Sequence, residues 1–308
     1  MRNFIFLGLI SLIIYSSCSF VVIAANNLQD NQNDEYTIPI IQGPLLKVQK
    51  YTGFNKFIDA LTELIIKIIF KSKTKAKNVD VALDIYSGID LILKKAKFLE
   101  VTANDLLLAG IPVDSFYLKA GSPIYFKKDK LQKKLTAATP IDLTSEIIVN
   151  LDNVTEVLNR IPKWKKIFSK VEIPIPPFGA TEVEVSDIKI YIDDNGLVNV
   201  KLMIKSLEDP SSEVLDLSFV GDLVIRDNKI IIDNIQTEIE EVFTKDSDLA
   251  KSFSSLLEDL INPVFDFNKY QKKGLKIVMI KKTFEKNKLY LNIDARLMPN
   301  DEQKQNLQ

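Results

Sequence analysis

The sequence has no histidine and a single cysteine, Cys18, which lies in an apolar stretch near the N-terminus. Histidine is the usual general base near neutral pH and the commonest metal ligand, and a thiolate is the strongest common side-chain nucleophile. The sequence therefore holds no Ser-His-Asp or Cys-His arrangement, no thiolate zinc site and no intrachain disulfide. We predict a protein that is not an enzyme, with no cofactor and no metal ion, whose stability comes from burial of apolar side chains.

The sequence also lacks a glycine-rich phosphate loop and an excess of positive charge. It has 40 basic and 41 acidic side chains, which gives a formal net charge of −1. Proteins bind nucleic acid through many uncompensated Lys and Arg side chains, so this balance argues against nucleic-acid binding. The missing phosphate loop argues against a nucleotide-binding fold.

The first 25 residues have the features of an export signal. Arg2 supplies a positive charge, Phe4 to Ile14 is an apolar run, and Val22-Ile23-Ala24 offers a small residue before a cleavage point. The stretch from Phe4 to Ala25 is also about long enough to cross a bilayer at ~1.5 Å per residue. A cleaved signal peptide and an uncleaved signal anchor are both open. Either one predicts an exported, extracytoplasmic protein of the periplasm or an equivalent lumen.

The polar ends of the remaining chain mark the limits of the predicted folded region. Asn26 to Glu35 (NNLQDNQNDE) is polar and has no aromatic residue, which is typical of a flexible spacer. We assign residues 26–43 to this spacer, residues 44–298 to one folded domain, and residues 299–308 to a disordered tail of similar composition.

Two segments carry wide apolar stripes at the helical period, and a third segment is shorter. The first stripe consists of Phe54, Phe57, Ile58, Leu61, Leu64, Ile65, Ile68 and Ile69. The second consists of Leu249, Ala250, Phe253, Leu256, Leu257, Leu260, Ile261 and Val264. Pro263 falls where this second helix must end. A short helix is predicted from Asp152 to Ile161.

Most of the other apolar residues alternate with polar ones, which is the pattern of half-buried β-strands. The clearest runs are Val79–Ile85, Ile188–Ile192, Val198–Ile204, Leu215–Phe219 and Leu289–Ile293. Tight hairpin turns are predicted at Asp194-Asn195-Gly196, Asp227-Asn228 and Lys286-Asn287. Together these patterns predict an α+β fold in which a long twisted antiparallel β-sheet wraps against two amphipathic helices.

The alternation changes parity between Val185 and Ile188, and this change predicts a β-bulge near Ser186. A bulge inserts one extra residue into a strand, so the strand continues with its apolar side chains on the same face of the sheet.

Carboxylates are the remaining side chains for acid–base catalysis or for metal binding. The acidic residues of the predicted strands, such as Asp80, Asp84 and Glu182, mostly lie on the solvent-facing parity, which does not favour a close catalytic pair in a cleft. Asp193-Asp194-Asn195-Gly196 superficially resembles a calcium loop. It lacks the alternating acidic spacing and the closing Glu of such loops, so a hairpin turn is favoured.

Lysines are clustered in spite of the balanced net charge. One group follows the first predicted helix and consists of Lys71, Lys73, Lys75 and Lys77. A second group surrounds the only tryptophan and provides our membrane-interface candidates, which are Lys163, Trp164, Lys165, Lys166 and Phe168. An amphipathic aromatic side chain among lysines suits an anionic membrane interface. A solvated Lys-rich surface with one packed tryptophan is the alternative.

The segment from Val79 to Leu158 resembles the LmeA-like phospholipid-binding family. The resemblance rests on the strand-rich string VDVALDIYSGIDLILKKAKFLEVTANDLLLAGIPVDSFYLKAGSPIYFK and on LTSEIIVNLDNVTEVLNR, which follows a lysine-rich link. Ala109-Gly110-Ile111 stands where the family has its "yrGl" step. Leu143-Thr144 and Leu151-Asp152-Asn153 stand where its helix is announced. The similarity continues through the hairpins between Glu182 and Glu238.

This resemblance implies an exported, envelope-associated protein that binds phospholipid without catalysing a reaction. It also implies a fold like that of tubular lipid-binding proteins, in which a curved sheet encloses a long helix beside an apolar groove. The candidate groove lining is the first stripe: Phe54, Phe57, Ile58, Leu61, Leu64, Ile65 and Ile68. The same stripe could form a dry core. Two other functions stay open: a membrane-anchored structural or adaptor protein of the envelope, and a carboxylate-dependent hydrolase.

Overall fold

The computed structural model describes residues 54–92, 94–108, 110–121, 124–128, 135–160, 169–175, 179–208, 214–239, 254–255, 258, 262–271 and 274–299. The predicted leader (1–25), the spacer (26–43) and the tail beyond Pro299 lie outside these residues. Most of the second predicted helix also lies outside them. Within that helix Ser254, Ser255 and Glu258 are described, and they are helical.

Helices form a minority of the described chain. They are α1 (Phe54–Thr74), α2 (Gly88–Ile92), α3 (Leu151–Arg160) and α4 (Asn268–Gln271). The predicted helix from Asp152 to Ile161 is confirmed by α3, whose ends differ from the prediction by one residue each. Helix α1 confirms a long helix at the first apolar stripe.

Strands make up most of the described chain. The first seven are β1 (Asn78–Asp84), β2 (Lys95–Ala96), β3 (Phe98–Leu108), β4 (Ile111–Ala120), β5 (Ile124–Lys128), β6 (Leu135–Ala137) and β7 (Ile141–Asn150). The other eight are β8 (Val171–Ile175), β9 (Gly179–Ile192), β10 (Val198–Ser206), β11 (Leu215–Arg226), β12 (Lys229–Ile239), β13 (Phe265–Asp266), β14 (Leu275–Glu285) and β15 (Lys288–Leu297). All five runs of alternating residues named above fall in or directly beside these strands.

In the described part of the chain the strands form three sheets, with the orders β1-β3-β4-β7-β15-β14, β13-β12-β11-β10-β9-β8 and β2-β5-β6. The prediction of an α+β fold with one long sheet wrapped against two amphipathic helices is therefore wrong. The described chain is mostly β-structure, and its strands divide among several sheets. Alternation of side chains shows which face of a strand is buried, but it does not specify which strands become neighbours.

The described residues divide into two compact units. The first contains those up to Ile148, together with Lys269–Lys281 and those from Leu291 onward. The second contains Val149–Asn268 and Lys282–Tyr290.

The first unit has its core on the inner face of β1, β3 and β4. These strands pair antiparallel, and alternate residues of the central strand, such as Val101 and Ala103, are fully buried. Helix α1 packs against β1 and β3. Its Phe70 stacks on Phe116 of β4 with ring centroids 5.6 Å apart. This ring pair joins the helix to the core of the sheet.

The second unit is a meander of long antiparallel strands. Its β9–β10 ladder pairs Asp187 with Met203 and then Val185 with Ile204, so Ser186 has no partner residue in the register. The Ser186 hydroxyl donates to the Met203 carbonyl at 3.1 Å. The predicted bulge at Ser186 is confirmed.

Side chains, rather than a neighbouring strand, bind the outer edge of β9 beyond Val183. Strand β8 pairs with β9 only from Gly179 to Val183. Farther along, the Asn159 amide accepts from Ile188 N–H at 3.0 Å and donates to Ile188 C=O at 2.7 Å. Thr155 Oγ1, one turn earlier in α3, accepts from Ile190 N–H at 3.0 Å. The backbone groups of this edge are therefore satisfied by polar side chains on a helix.

The opposite edge of the same sheet uses the same device. Strand β13 pairs with β12 only at Lys229 and Ile230. Two residues on, the Asn262 amide accepts from Ile232 N–H at 2.8 Å and donates to Ile232 C=O at 2.7 Å. Each asparagine thus makes the pair of hydrogen bonds that a facing strand residue would make.

We expect Asn159→Ala to destabilise the second unit, because it leaves both backbone groups of Ile188 without a partner. The free energy of unfolding should fall by about 2–3 kcal/mol, and exchange of the Ile188 amide hydrogen should accelerate. Denaturant titration and native-state hydrogen exchange measure these two effects.

Asn292→Ala, in the first unit, is the control, since the Asn292 side chain is exposed on β15 and makes no hydrogen bond among the described residues. It should change stability by no more than about 0.5 kcal/mol. Unchanged exchange at Ile188 in Asn159→Ala would show that the amide does not protect this edge.

Candidate functional site

Helix α1 buries one face and exposes apolar side chains on the other. The buried face consists of Thr62, Ile66, Phe70 and Thr74. On the opposite face, Leu61, Leu64 and Ile68 are 44%, 53% and 58% exposed. Residues three, four and seven positions apart share one face of a helix, so these three side chains form a continuous strip. We call Leu61, Leu64 and Ile68 the α1 apolar row.

The charged residues in the middle of α1 are turned toward β1 rather than toward the row. The Glu63 carboxylate accepts a hydrogen bond from Leu83 N–H at 2.9 Å. Lys67 pairs with Asp80 at 3.4 Å. With Phe70 fixed against Phe116, these contacts determine the rotation of the helix about its axis. The side chains of Glu63 and Lys67 are therefore directed away from the apolar row.

Lysines lie at and beyond the C-terminal end of the row. Lys71, Lys73, Lys75 and Lys77 are all exposed. The helix ends where Thr74 Oγ1 donates to Phe70 C=O at 2.8 Å and Lys75, with φ 56°, donates its N–H to Lys71 C=O at 2.8 Å. This left-handed cap stops the helix directly after the row.

An exposed apolar strip next to cations is the arrangement of an interfacial amphipathic helix, which buries its apolar face at the boundary between headgroups and acyl chains. Across the described residues, no helix combines the length and the hydrophobicity that crossing a bilayer requires.

The structure places the predicted groove residues in different environments. Leu61, Leu64 and Ile68 point away from the sheet, and Ile65 is half-buried. Phe54, Phe57 and Ile58 belong to α1, but their side chains lie outside the described set.

The side chains that pack on the inner face of α1 are ones that the prediction did not select, chiefly Ile66 and Phe70. A signal for Phe70 was present, because it lies one turn after Ile66 and directly before the polar residues that end the helix.

The membrane-interface candidates Lys163, Trp164, Lys165, Lys166 and Phe168 lie outside the described residues.

The candidate calcium loop is a hairpin turn, as predicted. Asp193 Oδ1 accepts from Leu197 N–H at 2.9 Å and from Asn195 N–H at 3.0 Å, and Gly196 has φ 80°. The hydrogen bond from Leu197, followed by weaker ones from neighbouring groups, holds the pKa of Asp193 below its ordinary value of 3.8. The carboxylate is thus used within the turn. No cluster of potential metal ligands occurs among the residues that the structure describes.

Comparison of the chain with protein-family models, curated proteins and solved structures finds no match. The resemblance to the LmeA-like family stays a prediction that rests on the sequence motifs named above.

The lowered pKa of Asp193 makes a prediction about acid stability. A carboxylate whose pKa is lower in the folded state stabilises that state above pH 3.8, and this contribution is lost as the pH falls through the lowered pKa. Asp193→Ala should therefore be less stable than the unmodified protein at neutral pH, and the difference should shrink in acid. Chemical denaturation at a series of pH values measures it.

Asp194→Ala provides the control in the same turn, because Asp194 is exposed. If the difference in the free energy of unfolding between Asp193→Ala and the unmodified protein did not depend on pH, the charge of Asp193 would not be what stabilises the turn.

Proposed function

We propose that this protein binds phospholipid or another acyl-chain lipid without catalysing a reaction, in an extracytoplasmic compartment of the cell envelope. The observation that carries the proposal is the α1 apolar row, whose three large aliphatic side chains are exposed on a helix that is otherwise docked on its sheet. Isolated exposed apolar side chains are common, but a contiguous strip of them marks an interaction surface.

The size of the row indicates weak and reversible binding. Complete burial of a Leu or Ile side chain contributes about 1.5–3 kcal/mol. The three side chains are each about half exposed, so their insertion among acyl chains would contribute roughly 2–4 kcal/mol in total. This is enough for reversible contact with a lipid surface, and stable attachment needs a second contribution.

Lipid is a better occupant than a protein partner because of what borders the row. Lysines lie at its C-terminal end. Glu63 lies between Leu61 and Leu64 in the sequence, but its carboxylate is turned toward Leu83 of β1. A phospholipid surface offers both an apolar interior for the row and phosphate groups for the lysines. Neither the envelope adaptor nor the carboxylate hydrolase is favoured by an observation in the described part of the chain.

The direct test is to purify the full chain after export and analyse it by native mass spectrometry and by lipid extraction. Sedimentation with vesicles would be measured in parallel. We expect co-purified phospholipid, vesicle binding or both. If no phospholipid co-purifies and no vesicle is bound, the proposed function is wrong.

Substitution of the row should weaken vesicle binding without unfolding the protein. Leu64→Gln combined with Ile68→Gln removes two exposed apolar side chains, so affinity for vesicles should fall on the order of tenfold. The melting temperature should stay nearly constant, because neither side chain belongs to the core. Sedimentation and thermal unfolding measure the two quantities.

The matched control is Val278→Gln combined with Met279→Gln. These β14 residues belong to the same unit and are also exposed apolar side chains, at 64% and 39%. Equal loss of binding in both double variants would show that exposed hydrophobicity in general, rather than the α1 apolar row, mediates the contact.

A further inference from the structure

We propose that the α1 surface selects membranes that contain anionic phospholipid, and that Lys71, Lys73 and Lys75 contact the headgroups. This inference rests on the proposed function and specifies the class of lipid that the site prefers.

The first observation is a local separation of charge. The segment from Leu64 to Lys77 (LIIKIIFKSKTKAK) contains lysines at every charged position and no acidic residue, whereas the whole chain has a net charge of −1. A local excess of positive charge therefore lies beside the apolar row. Each lysine close to an anionic bilayer contributes about 1 kcal/mol of attraction.

The second observation concerns which lysines are available. Lys67 and Lys77 pair with Asp80 and Asp105 at 3.4 and 3.9 Å. Across the described ranges, the exposed side chains of Lys71, Lys73 and Lys75 take part in no ion pair or hydrogen bond. Three cations at the end of the row thus have their charge uncompensated by any carboxylate of the described residues.

The third observation is their position relative to the row. Lys71 lies three residues after Ile68 and seven after Leu64, so it borders the row on the same helical face. Lys73 is in the last turn, and Lys75 forms the left-handed cap directly after it. Long lysine side chains can keep their stems along apolar surface while the ammonium groups reach the headgroup layer.

Helix stability alone does not explain this cluster. The helix macrodipole favours cations near the C-terminus, which accounts for Lys71 and Lys73. The effect declines beyond the last turn, whereas the lysine pattern continues to Lys75 and Lys77 after the helix has ended.

The experiment measures binding of the full chain to two kinds of vesicle, phosphatidylcholine alone and phosphatidylcholine mixed with phosphatidylglycerol. Each is tested from about 0.01 M to about 1 M salt, over which the screening length falls from ~30 to ~3 Å. We expect stronger binding to the anionic vesicles and loss of that preference at high salt.

The test variant carries Lys71→Gln, Lys73→Gln and Lys75→Gln. Its affinity for anionic vesicles at low salt should fall at least on the order of tenfold, with little change on phosphatidylcholine. The matched control carries Lys119→Gln, Lys276→Gln and Lys281→Gln, which remove the same charge from exposed positions of the same unit. The control should keep most of the preference.

The outcomes separate this inference from the proposed function. Equal binding to both kinds of vesicle at all salt concentrations would overturn the anionic preference and leave lipid binding intact. Equal losses in the test and control variants would overturn the role of these three lysines in particular. Failure to bind either vesicle would overturn this inference, and it would overturn the proposed function as well if no phospholipid co-purified with the full chain.

Discussion

The stacking of Phe70 on Phe116 is the contact on which the candidate site depends. With the two ring centroids 5.6 Å apart, Phe70 is 1% exposed and holds one face of α1 against the sheet. Successive residues of a helix are rotated by about 100°, so a different choice of buried face would move Leu64 and Ile68 into the core. Glu63 and Lys67 reinforce this rotation through their contacts with β1. The exposure of the α1 apolar row is therefore a consequence of what the opposite face binds.

The local features of the fold could be predicted because they depend on residues close in sequence. Alternation identified the strands, the parity change identified the bulge at Ser186, and Asp193 to Gly196 identified a turn. The assignment of strands to sheets could not be predicted. Pairs such as Val81 with Val101, or β7 with β15, depend on long-range neighbours that the side-chain period does not specify.

The site illustrates the same limit on a single helix. The predicted stripe covers a wide part of the helix circumference. A stripe of that width does not specify which of its apolar side chains face the sheet. In the structure two threonines, Thr62 and Thr74, are buried while Leu64 and Ile68 are exposed, so hydrophobicity alone ranks these positions in the wrong order. What decides the matter is the shape of the surface below the helix, where Phe116 receives Phe70. Phe116 lies more than forty positions after Phe70 in the sequence.

The two asparagines at the edges of the second unit have a consequence for assembly. A strand that pairs with an edge satisfies it and at the same time presents a new edge, so pairing of that kind can continue without limit. The side-chain amides of Asn159 and Asn262 satisfy the backbone groups of Ile188 and Ile232. Unlike an added strand, these amides do not present a new series of backbone N–H and C=O groups. These side chains therefore block the addition of a further strand at the two edges, and Thr155 assists Asn159 at the β9 edge.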